Sequence, residues 1–266
     1  MNPPTHNLLS RQLLTAAPRP PADRKPVRER KKTGWLLLVL LTGITLLSYF
    51  NVDRSLTAED RYYIRLYLPD VAPNVAASLN YDEQVALIER AQRAVFERTT
   101  GWQGIAEGQP REPKQLFLNR NGMCYDRSRV LEKVFSYLGF TSRHLSMFTR
   151  EKGTPALVTI LFHHVPSHAV SEVLTKKGWL MVDSNTLWVS LDAKNDPVSV
   201  PEIQHRASII RWHSPIITKD PQVYSGQFIF VYGLYSRHGL FYAPYIPGIP
   251  DYNIRNLLYN AEQFVE

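Results

Sequence analysis

Apolar residues recur along this chain with two spacings, and the change between them falls near residue 140. From about Asp82 to Arg98, and again from Cys124 to Leu138, they recur every three or four residues, as in helices buried along one face. Gly139 follows as a C-terminal cap. Strands are then predicted at Arg143–Phe148, Ala156–Val165, His168–Thr175 and Trp179–Val182. Helices followed by antiparallel strands predict an α+β domain.

The segments around this core are less regular. A capping-box pattern over Thr57–Asp60 opens a short helix that must end near Pro69. Residues 99–115 hold several glycines and prolines and are predicted to be loop, and residues 190–222 are predicted to be a long surface segment. The last predicted elements are a strand at Gln227–Tyr235 and, after an aromatic loop, a helix from about Asp251.

One apolar run is much longer than the others. The 20 residues between Lys32 and Asp53 carry no charge, and as a helix they would rise about 30 Å, the thickness of a bilayer's hydrocarbon core. Basic residues before the run keep that side in the cytoplasm by the positive-inside rule. We therefore predict a transmembrane signal-anchor at residues 33–52, with a cleaved signal peptide and a buried core helix as the alternatives.

This anchor divides the chain into three parts. Residues 1–32 are proline-rich and basic and are predicted to be a disordered cytoplasmic tail. Residues 53–266 are predicted to form an extracytoplasmic domain with an aromatic C-terminal segment. The expected location is the inner membrane of a cell envelope, crossed once, with the C-terminal domain in the periplasm.

The net charge of +7 invites a nucleic-acid interpretation, but the position of the charge argues against it. Residues 1–32 carry eight of the 31 basic and two of the 24 acidic residues, which leaves 23 basic and 22 acidic residues elsewhere. The domain is thus almost neutral and has no basic surface for a phosphate backbone. We expect no nucleic-acid partner.

Candidate chemistry centres on Cys124, the single cysteine of the chain, which has no partner for an internal disulfide. It stands at the start of a predicted helix, where free backbone N–H groups and the helix dipole favour an anion. Gly122 lets the chain turn sharply into that helix. A thiol attacks as thiolate, and because its ordinary pKa is about 8.5, catalysis near neutral pH requires a base.

Among the eight histidines, His168 fits that role. It opens a strand that is one hairpin away from the strand ending at Asp183, so Asp183 can hold its imidazole. Cys124, His168 and Asp183 thus form a candidate set of nucleophile, base and orienting carboxylate. Backbone amides from Cys124 onward can face an oxyanion, and the second donor stays open among Trp102, Gln115, Asn119 and Asn121.

Each member of this set also has a structural interpretation. Cys124 can be a packed small residue, and His168 a structural residue of its strand. Asp183 can begin a turn with Ser184 and Asn185. The catalytic interpretation is favoured because the three residues occur together, in an order and at positions that suit catalysis.

Four short motifs in this region resemble the transglutaminase-like superfamily, relatives of the papain-type cysteine proteases. They are Gly122 and Cys124 at a helix start; Gly139, Phe140 and Arg143; His168, Ala169 and Glu172; and Gly178, Trp179, Val182 and Asp183. The resemblance implies a papain-like α+β fold, with the cysteine-bearing helix packed on an antiparallel sheet. It also implies that Cys124 is the nucleophile, His168 the base and Asp183 its partner. The chain departs from the family pattern at Val170 and at Ser184-Asn185.

Two further groups of residues have weaker interpretations. His163, His164 and His168 suggest zinc, but Pro166 and the strand pattern separate them, so we expect no metal and no cofactor. The aromatic segment can pack over the core or form a platform for a sugar or peptide. Its candidate substrate contacts are Tyr242, Tyr245, Arg237 and His238.

Together these features predict a membrane-anchored cysteine hydrolase or acyltransferase that acts on an amide or ester of an envelope protein, peptide or polysaccharide. The alternative is a catalytically inactive module of the same fold that binds or scaffolds in cell-envelope or surface-polysaccharide assembly. A metal-dependent hydrolase is the third possibility.

Overall fold

The computed structural model describes most of the chain after residue 26. The described residues are 27–49, 55–106, 109–155, 159, 165–206, 210–211, 222–233 and 254–263. The chain divides after Thr45 into two compact units, and the first holds most of helix α1 (Val27–Tyr49). Within the described part of the chain, no helix combines the length and apolar character needed to cross a membrane. The predicted tail at residues 1–32 falls mostly outside the described residues.

The second unit has the α+β architecture that the sequence predicts. Its first half is helical, and its helices are α2 (Ala58–Tyr67), α3 (Tyr81–Arg98), α4 (Pro113–Asn119) and α5 (Cys124–Leu138). The predicted capping box is present, because Thr57 Oγ1 accepts a hydrogen bond from Asp60 N at 3.0 Å and Asp60 Oδ2 accepts one from Thr57 N at 2.9 Å.

Helix α4 was not predicted from the sequence. It begins at Pro113, inside the segment predicted to be loop, and runs to Asn119. Proline at the first position of a helix lacks only an N–H that the helix would leave unpaired, and its fixed φ suits the first turn. The proline that marked a loop therefore marks the start of a helix.

The second half of the unit is built on a four-stranded antiparallel sheet. Its strands are β1 (Ser142–Thr149), β2 (Ser167–Thr175), β3 (Gly178–Val182) and β6 (Phe228–Tyr232), in the order β3-β2-β1-β6. The predicted hairpin between β2 and β3 is confirmed, with Thr175 paired to Gly178. The strand predicted at Ala156–Val165 falls largely on residues outside the described ranges.

Each face of the sheet carries its own apolar core. Val173, Leu180 and Val182 belong to the core that α2, α3 and α5 complete. Leu145 and Met181 belong to a second core, together with residues that follow the hairpin. The sheet is thus covered on both faces.

The second core corrects the prediction of a long surface segment at residues 190–222. This region contains β4 (Leu191–Asp192), α6 (Val200–Arg206), β5 (Ile210–Arg211) and the start of α7 (Gln222–Ser225). Val198, Val200 and Ile203 are fully buried in the core on the second face. The isolated apolar residues of a polar, proline-interrupted stretch have no regular period, so their burial cannot be read from spacing. The last described helix is α8 (Ile254–Gln263).

A buried ion pair joins the two central strands. Arg143 on β1 lies opposite Glu172 on β2, and its Nε donates to Glu172 Oε2 at 2.6 Å. The Arg143 guanidinium also lies over three aromatic rings, with its Cζ at 3.8 Å from the ring centre of Trp179, 4.4 Å from Tyr232 and 4.5 Å from Tyr259. Two residues of the family-like motifs are therefore partners of each other in the sheet.

Gly139 closes α5 in a conformation that only glycine adopts easily, with φ of +90°. A Cβ at this position would lie 3.0 Å from Asn74 Cα. We expect Gly139→Ala to lower the free energy of unfolding by about 1–3 kcal/mol, measured by urea denaturation. Gly153→Ala is the matched control, because φ is +88° there but no atom lies within 4 Å of the added Cβ. A loss at Gly139 no larger than at Gly153 would show that crowding against Asn74 is unimportant.

Candidate active site

Cys124 is the first residue of α5 and is half-buried. The carboxylate of Asp126 fixes this helix start, since its Oδ2 accepts hydrogen bonds from the backbone N–H groups of Met123 at 2.9 Å and Ile105 at 3.2 Å. Arg111 Nε donates to the other oxygen of Asp126 at 2.7 Å. The carboxylate of Asp126 therefore ties the segment around Ile105 to the turn that presents the cysteine.

Gly122 was predicted to allow a sharp turn into α5, but its φ is not in the left-handed region, and what the structure shows at this position is close packing. A Cβ at this position would lie 2.7 Å from Leu116 Cδ1 and 3.5 Å from Arg127 Cγ. The turn into α5 thus packs against the Leu116 side chain of α4, which would have to move to make room for a larger residue.

His168 and Asp183 meet as the hairpin pattern predicts. His168 lies near the start of β2, Asp183 directly follows β3, and His168 Nε2 lies 3.0 Å from Asp183 Oδ2. Both are buried, with exposed fractions of 4% and 2%. The Tyr224 hydroxyl also donates to Asp183 Oδ2, at 2.5 Å.

Asp183 also begins a turn, so both interpretations of this residue apply. Its Oδ1 accepts hydrogen bonds from Asn185 N at 2.6 Å and Thr186 N at 2.8 Å. One oxygen of the carboxylate is held by the turn, and the other faces His168. The turn therefore fixes the position of the carboxylate that orients the imidazole.

The charges of His168 and Asp183 stabilise each other. Burial acts to lower the pKa of His168, but the charge of Asp183 and hydrogen bonds to Asp183 and Cys124 outweigh it and raise this pKa to about 10. Burial acts to raise the pKa of Asp183, yet the charge of His168 and hydrogen bonds from His168 and Tyr224 hold it below its usual value. At neutral pH the site therefore holds an imidazolium beside a carboxylate.

Cys124 also acts on this imidazole, since a side-chain hydrogen bond with Cys124 and the charge of Cys124 contribute to the raised pKa of His168. Because Nε2 of His168 is bonded to Asp183, Nδ1 is the ring nitrogen left to face the sulfur. The order of contacts is thus sulfur, imidazole, carboxylate, which is the order required for a thiol nucleophile, its base and the group that orients the base.

Sequence reasoning missed Arg127, which lies beside this set. Its side chain is 1% exposed and donates to Thr99 Oγ1 at 3.0 Å, to Gly101 O at 2.9 Å and to Asn185 Oδ1 at 2.8 Å. A cation near the N-terminus of a helix opposes the helix dipole, and that was the available signal. Tyr224 was also missed, because it lies in an aromatic-rich region without a period that marks it.

The oxyanion candidates are spread over several positions. Trp102 is the one placed beside a site residue, with its ring centre 5.1 Å from Arg127 Cζ. Asn121 donates its amide to Asn119 O at 3.3 Å, and Asn119 is exposed at the end of α4. Gln115 lies on α4, and its buried Oε1 has no hydrogen-bond partner among the described residues. The backbone N–H groups from Cys124 onward stand at the start of α5.

The candidate substrate contacts lie outside the described residues, as do two of the three histidines of the zinc alternative. These residues are Tyr242, Tyr245, Arg237, His238, His163 and His164. Within the described ranges, no group of three or more His, Cys, Asp or Glu side chains is arranged to hold a metal ion. His168 Nε2 lies 3.0 Å from Asp183 Oδ2.

Comparison with known proteins places this chain in no family. No family model matches it, and no curated protein matches it either. The chemistry of the site therefore has to be argued from its own residues.

Proposed function

We propose that this chain is a transglutaminase-like cysteine hydrolase or acyltransferase. The observation that supports it most strongly is the buried imidazole of His168, which lies 3.0 Å from a carboxylate held by a turn and whose pKa is also raised by the single thiol of the chain. Such a carboxylate keeps the ring oriented and charged, as thiol catalysis requires. The position of Cys124 at the N-terminus of α5 adds N–H groups that favour a thiolate and a developing oxyanion.

In the proposed reaction, the Cys124 sulfur attacks the carbonyl carbon of an amide or ester, and its S–H proton resides on His168. The tetrahedral oxyanion faces the backbone N–H groups at the start of α5. His168 then protonates the leaving amine or alcohol as the C–N or C–O bond breaks, which leaves a thioester on Cys124. Neutral His168 next takes a proton from water or an amine, whose attack on the thioester releases the product and restores the thiolate.

The proposed setting is a membrane. The large apolar side chains of α1 are exposed along the helix, including Trp35, Leu38, Leu41 and Ile44. An exposed apolar surface of this extent favours contact with lipid. We propose that residues 33–52 anchor the chain in the inner membrane and that the domain acts in the periplasm on an envelope protein, peptide or polysaccharide.

One observation favours the inactive alternative, a binding or scaffold module of the same fold. His168 is almost completely buried, so a substrate can approach only from the side of the half-buried Cys124. The positions at which the chain departs from the family pattern, Val170 and Ser184-Asn185, are also close in sequence to His168 and Asp183. Ser184 donates a hydrogen bond to Ala169 O. A direct measurement of thiol reactivity separates the two functions.

Alkylation by iodoacetamide at pH 6 is the test, because the chain has one cysteine and every label reports on it. We expect Cys124 to react at least about tenfold faster in the folded protein than in the chain unfolded in urea, since a free thiol is almost fully protonated at this pH. His168→Asn should remove the excess, because the imidazolium that stabilises the thiolate is lost.

His144→Asn is the matched control. His144 is also a buried sheet histidine, but its Nδ1 lies 2.8 Å from Ser128 Oγ, one helical turn after the cysteine. This variant should keep the fast rate. A wild-type rate equal to that of the unfolded chain, or one unchanged by His168→Asn, contradicts thiol catalysis and favours the binding module. Circular dichroism checks that both variants fold.

A further inference from the structure

Arg127 is a buried cation whose Cζ lies 5.3 Å from the ring centre of Phe96 and 5.1 Å from that of Trp102. It follows Cys124 by three positions on α5, so the two side chains lie on the same face of the helix, about 5–6 Å apart at Cβ. Its guanidinium is almost inaccessible, and all of its hydrogen bonds go to uncharged oxygens of Thr99, Gly101 and Asn185. Among the described residues, no carboxylate lies within ion-pair distance of it.

A buried cation without an ion pair is costly, and this one also lies near the positive end of a helix dipole. Burial accordingly lowers the pKa of Arg127. The negative charges that act against this are those of Cys124 first, then Asp126 and Asp183. The cost of burying Arg127 is therefore reduced most when Cys124 is a thiolate.

The two carboxylates near Arg127 already have their own cations. Asp126 is paired with Arg111 at 2.7 Å, and Asp183 with His168 at 3.0 Å. The two carboxylates whose charges act on Arg127 are thus already paired with other cations. A thiolate on Cys124 adds a further negative charge that acts on Arg127, which a neutral thiol does not.

We propose that Arg127 is the fixed counter-charge of the Cys124 thiolate and a positioning residue that joins both walls of the site. Its contacts with Thr99 and Gly101 hold the segment before α4, and its contact with Asn185 holds the turn after Asp183. Since arginine does not lose its proton, Arg127 maintains this charge while His168 gives its own proton to a leaving group. The inference rests on the proposed thiol chemistry and deepens it.

The test is the pH profile of Cys124 alkylation in Arg127→Gln and Arg127→Lys. We expect the glutamine variant to react about tenfold more slowly than wild type at pH 6 and at a similar rate at pH 9, where a free thiol is largely ionised without help. Lysine keeps the charge and should retain most of the rate at pH 6. The ultraviolet absorbance of the thiolate, taken as the difference from Cys124→Ser, should fall in parallel.

Arg129→Gln is the control for the loss of a buried cation from the same helix. Arg129 pairs with Glu112 at 3.2 Å, away from the thiol, so its removal should leave the pH profile unchanged. An Arg127→Gln profile equal to wild type overturns this inference while the proposed function stands. A slow wild-type rate at pH 6 overturns the proposed function itself. If Arg127→Gln does not fold, a folded lysine variant that reacts at the free-thiol rate overturns the role of the charge.

Discussion

Arg143→Met is expected to lower the free energy of unfolding by about 3–5 kcal/mol, the usual cost of removing one partner from a buried ion pair. The substitution leaves the Glu172 carboxylate fully buried, with the Val200 N–H as a remaining donor at 2.6 Å. It also removes the cation that lies over Trp179, Tyr232 and Tyr259. Urea denaturation at pH 8 measures the loss.

The pH dependence of this loss identifies its cause. Burial raises the pKa of Glu172 even when Arg143 opposes it, so without Arg143 the carboxyl should take up a proton more readily. The loss should therefore be smaller at pH 5 than at pH 8, and a second change, Glu172→Gln, should recover part of it. Arg90→Met is the exposed control, because Arg90 lies 3.7 Å from an exposed Asp70, and it should cost less than about 1 kcal/mol. If the loss of stability does not change with pH, it comes mainly from the lost packing of Arg143 on the three rings.

Asp183→Asn is expected to have the largest effect on the chemistry of the site. Asparagine preserves the shape and the acceptor for the turn but removes the charge that raises the pKa of His168 to about 10. The pKa of His168 should then fall by several units, because burial becomes the dominant influence. At pH 6 Cys124 should be alkylated at least about tenfold more slowly than in wild type.

Stability should change with pH in a defined direction. The pKa of His168 is raised on folding, so its stabilising contribution is complete below about pH 6.5 and is lost as the pH rises toward about 10. The pKa of Asp183 is lowered, so its contribution is complete above about pH 3.9 and is lost at more acid pH. The difference in the free energy of unfolding between wild type and Asp183→Asn should therefore be largest between about pH 3.9 and about pH 6.5.

Asp192→Asn is the matched control for this prediction. Asp192 is a buried carboxylate that also caps a turn, with Oδ1 accepting from Lys194 N at 2.8 Å and Asp196 N at 3.0 Å. This control should leave both the alkylation rate and the titration of His168 at wild-type values. Nuclear magnetic resonance can follow the His168 ring by comparison with the His168→Asn variant. A His168 pKa unchanged by Asp183→Asn would contradict the charge coupling described above.

The elements that the sequence predicted well are those with local signals. Helix α5 begins at Cys124 and ends before Gly139 as predicted, because an apolar period, a glycine turn and a glycine cap all point to the same bounds. The β2–β3 hairpin follows from two alternating runs around a short turn, and it alone brings His168 next to Asp183. Most of the candidate site could therefore be predicted from patterns within one helix and one hairpin.

What the sequence did not reveal depends on contacts between distant segments. Tyr224 reaches Asp183 only because β6 adds to the sheet beside β1, and no local pattern records that pairing. Arg127 resembles an ordinary polar helix residue until Thr99 and Asn185 are seen to enclose it. Val198 and Val200 are buried by the sheet face that they cover, and their own spacing carries no sign of it.

The aromatic rings that lie against the Arg143 guanidinium also affect the order in which the chain folds. Arg143, Trp179, Tyr232 and Tyr259 are far apart along the chain, and Tyr224 likewise comes well after the Asp183 that it holds. A growing chain that has reached only β3 therefore contains the thiol, the imidazole and the carboxylate but lacks the side chains that enclose them. During synthesis, the ion pair of Arg143 and Glu172 is therefore not shielded from water until the segment from α7 to α8 has been made. The same holds for the candidate catalytic residues.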